Sequence, residues 1–174
     1  KRLESCQIEL PNLEARLLLA KSLNILPEKI FIYWDDKISS ATLDRLEDMV
    51  RRRLAREPLA YILGEKEFWS LDFCVNNSTM IPRPETEIIV EYVTDRAQIG
   101  IEPDRVLDLG TGTGCILLSI LNQLPFVSGV GVDICELALE IASKNAARLG
   151  LSRRATFRHL DWNFLTNNMV GHFD

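Results

Sequence analysis

The chain has 174 residues, 47% of them hydrophobic and 26% charged, with nine glycines and seven prolines. This is the composition of an ordinary globular protein, and it excludes collagenous, low-complexity and disordered readings. The longest apolar runs, such as 115–120 and 17–20, fall far short of the roughly 20 residues a spanning helix needs, so no membrane partner is expected. The opening Lys1-Arg2-Leu3-Glu4 has neither an initiator methionine nor a basic segment leading into an apolar stretch. A signal peptide is therefore not expected, and the chain reads as part of a longer polypeptide.

The formal charge of -5 is uneven: residues 1–66 carry 12 basic and 11 acidic side chains, and residues 67–174 carry 8 and 14. A protein that grips nucleic acid with its whole surface shows a basic domain, so direct specific nucleic-acid binding is not expected. Only Arg51, Arg52, Arg53 and Arg56 cluster. They read as a solvated face near a helix C-terminus, favourable to the macrodipole, ahead of a partner-binding patch. The four cysteines form no CxxC pair, and His159 and His172 are the only histidines. No metal site and no Ser-His-Asp hydrolase is expected, and reduced thiols fit a cytoplasmic location.

Two regimes meet near residues 58–66. In the first, Leu13, Leu17, Ala20 and Leu23 recur at helical spacing behind Asn12, a candidate N-cap. Ser40 is the expected cap of a second helix whose stripe is Leu43, Leu46, Val50 and Leu54, ended by Pro58. Residues 67–75 then read as a short hairpin or connector, with a turn at Asn76-Asn77-Ser78. A helix is predicted from Pro84 to about Ala97, with acids Glu85 and Glu87 at its positive end and an apolar face of Ile88, Ile89, Tyr92 and Val93. The remainder alternates, with strands at 105–109, 128–132 and 156–160 and helices at 115–124 and 136–149. That βαβαβ series predicts a parallel sheet covered by helices. His172-Phe173-Asp174 is read as the start of a further strand.

The informative stretch is Asp108-Leu109-Gly110-Thr111-Gly112-Thr113-Gly114, between a predicted strand and a predicted helix. Glycines there let the backbone approach a ligand closely, and the following helix offers unpaired N–H groups and a positive dipole end. A dinucleotide-binding GxGxxG would place its third glycine at position 115, which is Cys115. The GxGxG spacing, with Asp108 at the strand end, favours a loop that binds S-adenosylmethionine over one that binds a pyrophosphate. Asp133 ends the second strand, 23 residues after Gly110, where such sheets place an acid for ribose hydroxyls; taken alone it reads as a helix cap. Asp161 and Trp162 end the third strand, where a carboxylate and an indole could border an adenine; taken alone they read as an N-cap and a core residue.

Three segments carry a resemblance: 56–64 with Glu67-Phe68, the run Ile81-Pro82-Arg83-Pro84-Glu85-Thr86-Glu87, and the loop 108–114. On these the chain resembles the HemK/PrmC family, methyltransferases that modify the glutamine of peptide-chain release factors. The resemblance implies an α/β fold with a helical substrate-recognition domain (1–66), a hairpin linker (67–81) and a Rossmann-like S-adenosylmethionine-dependent methyltransferase domain (82–174) whose sheet is incomplete at the C-terminus. It implies that Gly110, Thr111, Gly112, Thr113 and Gly114 line S-adenosylmethionine, that Asp133 binds its ribose, and that Trp162 lies against its adenine, beside the Asp161 read from its strand-end position. Arg83 and Glu85 are implied to shape the cleft or to form a linker salt bridge. The implied activity is N5-methylation of release-factor glutamine in the cytoplasm.

The family's Asn-Pro-Pro-Tyr motif follows its fourth strand and is not among these 174 residues. No catalytic residue is therefore assigned, the polypeptide is expected to continue past Asp174, and these residues alone are expected to catalyse poorly. Two other readings remain at this point. One is an adenine methyltransferase of nucleic acid, and the other is a non-catalytic module that binds a protein partner.

Overall fold

The computed structural model describes residues 1–33, 37–164 and 172–173, and the chain divides into two units, Lys1–Leu63 and Gly64–Asp174. The first is helical: α1 (Arg2–Ser5), α2 (Pro11–Leu23), a 3-10 segment (Pro27–Tyr33), α3 (Ser40–Leu54) and α4 (Leu59–Leu63). Helix α2 starts at Pro11 itself and Asn12 caps nothing, because the fixed φ of proline suits the first helical position. It ends at Asn24, which takes the left-handed conformation (φ 56°). Its buried positions are Leu18, Ala20 and Ser22; of the expected stripe only Ala20 is fully buried, Leu17 and Leu23 are half-buried, and Leu13 is exposed. With Leu17, Leu18 and Leu19 in succession the helix has no unique apolar face, so its neighbours choose which side packs.

Ser39, one residue before the expected cap, holds the start of α3: its Oγ accepts the Thr42 N–H at 3.2 Å. Leu46, Met49, Val50 and Leu54 pack on a small core of Leu3, Ile8, Leu18 and Ile62, while Leu43 stays exposed. Of the clustered arginines Arg51 and Arg56 are solvated, as expected, and Arg53 is largely covered, but each of the four has a partner. Arg52 pairs with Glu57 at 2.5 Å, Arg53 with Glu14 at 2.6 Å, Arg51 with Asp48, and Arg56 donates to the Cys6 carbonyl at 2.6 Å.

The second unit opens with a hairpin of β1 (Glu65–Phe68) and β2 (Leu71–Cys74). Its first strand begins at Glu65, ahead of the expected position 67, and its two-residue turn is Trp69-Ser70, both at positive φ (52° and 57°). Such values usually call for Asn or Gly, which hid the turn from sequence. What fixes the register is Phe68 and Phe73, both buried, with ring centroids 6.2 Å apart in an edge-on arrangement.

A 3-10 turn (Pro84–Thr86) leads into α5 (Glu87–Gln98). Of its expected apolar face only Val93 packs inward, next to buried Val90; Ile88, Ile89 and Tyr92 are exposed. Then follow β3 (Arg105–Leu109), α6 (Cys115–Gln123), β4 (Ser128–Asp133), α7 (Glu136–Arg148) and β5 (Ala155–His159). The strands form a parallel sheet in the order β3-β4-β5, the Rossmann-like arrangement expected for a methyltransferase domain. Helix α6 is buried along nearly its whole length through Leu117, Leu118, Ile120 and Leu121, as a helix that is apolar all round must be. His172 and Phe173 are not in a strand, and Asp174 lies outside the described residues. Phe173 instead lies under the Arg105 guanidinium, 5.0 Å from ring centroid to carbon.

Candidate ligand-binding site

The loop after β3 is pinned by its own backbone. The N–H groups of Gly110 and Thr111 both donate to the Val132 carbonyl, at 2.8 and 3.0 Å, which holds the loop over the end of β4. Gly114 donates to the Thr111 carbonyl at 2.8 Å and, at φ +78°, caps α6 in a conformation that side chains resist. Gly112 has φ +54°, and the nearest atom to a Cβ built there is the Gly110 carbonyl oxygen at 4.0 Å. Its backbone conformation calls for glycine, while the space beside it is left open.

Asp108 and Asp133 have different tasks. Asp108 is partly buried in β3, and desolvation pushes its carboxyl above the usual carboxylate range. Hydrogen bonds from the Thr111 hydroxyl (2.7 Å) and the Leu117 N–H oppose that shift, and the nearby Asp133 charge adds to it. Asp133 accepts one backbone N–H on each oxygen, from Gly112 on Oδ2 and from Cys135 on Oδ1, both at 2.9 Å. Two donors fix the plane of this carboxylate and leave a lone pair on each oxygen for another hydroxyl.

A cavity of about 490 Å³ opens where the three strands end. Of the residues read from sequence, Gly110, Gly112, Asp133, Asp161 and Trp162 line it. Thr111 and Thr113 are buried and do not line it, and Gly114 packs against Leu118 and Ala142. Asp161 accepts from the N–H and the side-chain amide of Asn163, at 2.9 and 2.8 Å. Trp162 is half exposed, and its ring comes so near Gly110 that a Cβ there would lie 3.2 Å from Cζ3. Arg83 and Glu85 are exposed, do not line the cavity, and form no ion pair among the described residues.

Sequence reasoning missed one wall. Ser78, Thr79 and Met80 also line the cavity, held by an Asx turn in which Asn76 Oδ1 accepts the Ser78 N–H at 3.0 Å. The Asn76-Asn77-Ser78 turn was the available signal, though it marked the bend and not the wall. Asn163 and the apolar Leu109, Val132, Ile134, Ala138 and Leu160 complete a lining in which a few polar groups converge, the usual make-up of a small-molecule site. Among the described residues no cluster of His, Cys, Asp and Glu is arranged to hold a metal. The cysteines are free, and burial pushes the Cys115 thiol up to about 11, so it is no nucleophile.

Residues 1–64 match the PrmC N-terminal domain family and residues 102–174 a methyltransferase domain family. Curated relatives named release factor glutamine methyltransferase are 40% identical in Bradyrhizobium diazoefficiens, over 90% of this chain and 53% of that one, and 42% identical in Vibrio cholerae, over 91% and 54%. A bifunctional methyltransferase of Rickettsia prowazekii is 34% identical over 92% of this chain and 34% of its own length. The chain spans about half the length of the release factor relatives it matches.

Proposed function

We propose that this chain, a member of the PrmC family, binds S-adenosylmethionine in the cavity at the strand ends and is the donor-binding part of an enzyme that N5-methylates release-factor glutamine. The observation that carries this reading is the convergence on one cavity of a glycine loop, an oriented carboxylate and an indole from three successive strand ends. That edge of an open α/β sheet is where such folds take their ligands. S-adenosylmethionine, when bound, supplies a methyl group activated by a sulfonium.

The residues of this chain bind and orient. The carboxylate of Asp133, already aligned by two backbone donors, has the acceptor capacity left for both ribose hydroxyls. Asp161 faces the cavity beside Trp162 and accepts from an exocyclic amine, and the indole covers one face of the base. Gly110 and Gly112 bring backbone close to the rest of the donor, as their positive φ values allow. The helical unit recognises the release factor. Three of its four clustered arginines are paired with acids of their own unit and Arg56 with a carbonyl, which speaks against the nucleic-acid reading. No helix among the described residues is long and apolar enough to cross a membrane, and a cytoplasmic enzyme agrees with that.

Titration with S-adenosylhomocysteine tests the donor site. Asp133→Ala is expected to weaken binding at least tenfold, about 1.4 kcal/mol, and unchanged affinity would remove Asp133 from the site. For the substrate, the whole protein is incubated with labelled donor and either release factor or nucleic acid. Label is expected on a release-factor glutamine, and label in nucleic acid alone refutes the proposal.

A further inference from the structure

Asn145 lies in α7, has no exposed surface, and is among the largest fully buried side chains of the protein. A primary amide in that position must find partners. Its Oδ1 accepts the Cys74 N–H at 2.7 Å, and its Nδ2 donates to the Cys74 carbonyl at 3.1 Å and to the Thr113 carbonyl at 2.9 Å.

Both partners are backbone groups that their own elements leave open. Phe68 and Leu71 flank a two-residue turn, so hydrogen-bonded pairs alternate from there, and Glu65–Cys74 is a non-bonded pair. The N–H and C=O of Cys74 therefore point away from β1. Asn145 meets them as a neighbouring strand would, accepting one and donating to the other. Its second donor then reaches into the glycine loop, between Gly112 and Gly114. One side chain thus ties the strand that leads to Ser78–Met80 to the glycine loop of the same cavity.

We infer that Asn145 is a positioning residue: it sets the glycine loop of the donor cavity by holding the Thr113 carbonyl in register with β2. This rests on the proposed donor site, since its effect on affinity presupposes a nucleoside there. In the proposed site Asp133, Asp161 and Trp162 take the ribose and base, which leaves the loop for the part of the donor beyond the ribose. Loss of the loop's register therefore acts first on that part, while Asp133, which gives up its Gly112 donor, stays held by the Cys135 N–H, so the ribose and base lose less.

Asn145→Asp is the sharpest change, because it keeps the volume and turns a carboxylate oxygen toward two carbonyl oxygens. In the full chain, S-adenosylhomocysteine is expected to bind about tenfold more weakly, equivalent to about 1.4 kcal/mol, while adenosine stays within about twofold. Equal weakening of both nucleosides, or of neither, overturns the assignment. If the variant does not fold, Asn145→Ser takes its place, and failure of both also overturns it, since the role is then general stability. Should the unaltered chain bind neither nucleoside, the donor site falls, and amide exchange without ligand still decides. Faster exchange confined to 112–114 supports the positioning role, and faster exchange spread through α7 and β4 refutes it.

Discussion

The two units handle buried and half-buried charge in opposite ways. The helical unit is short of apolar core and joins its helices through paired charges, of which Arg53–Glu14 links α3 to α2 with only 17% and 13% of the side chains exposed. The sheet unit has a large apolar core whose buried polar side chains are neutral, and its half-buried Asp108 carboxyl has hydrogen-bond donors but, among the described residues, no cation against it. The difference is one of purpose. Paired charges specify how short helices meet, whereas the uncompensated carboxyl lies just behind a loop that has to keep a particular shape.

The largest effect expected from this contrast is in the sheet unit. Phe73 is fully buried against Phe68, and Phe73→Ala leaves a cavity costing about 4 kcal/mol. Urea denaturation followed at the sheet amides would measure it; a loss under 1 kcal/mol would mean the hairpin is not part of the core. Next in size is Arg53→Ala, expected to cost about 2 kcal/mol in the helical unit by leaving Glu14 without its partner in a mostly dehydrated site. Replacing both, as Arg53→Met with Glu14→Leu, is expected to recover more than half of that loss. If the double replacement is no better than the single one, the pair contributes through packing and the contrast between units weakens.

How much of this was legible in the sequence follows from where the information is local. The βαβαβ order, the glycine loop and Asp133 could be read because strand-end chemistry is written in consecutive letters. The face that α2 buries could not, since Leu17, Leu18 and Leu19 leave the choice to α3 and α4. The partners of Arg53 and Asn145 are 39 and 32 or more residues away and carry no local signal. The exposed Ile88, Ile89 and Tyr92 show the converse error, where helical spacing suggested burial that the structure does not provide. At the cavity, the missed wall of Ser78–Met80 follows a turn whose residues were noticed for their conformation alone.

Acid should separate the two units, and this is the smallest and most specific of the effects. The Arg52 guanidinium hydrogen-bonded to Glu57 holds that carboxyl below its usual range, so its stabilisation is present above the unfolded value and is lost as pH falls through the folded one. Asp108 behaves inversely. Its folded carboxyl holds a proton more tightly than the unfolded one, so between the two values the native state binds more protons. Its contribution is therefore greatest below the ordinary Asp value and is lost as pH rises through the raised one. Lowering pH from neutral toward 4 should then speed amide exchange in α3 relative to β4, after correction for the intrinsic rate at each pH. Asp108→Asn removes the titrating group, and a β4 profile that keeps its full pH slope in that variant would show that another carboxyl sets it.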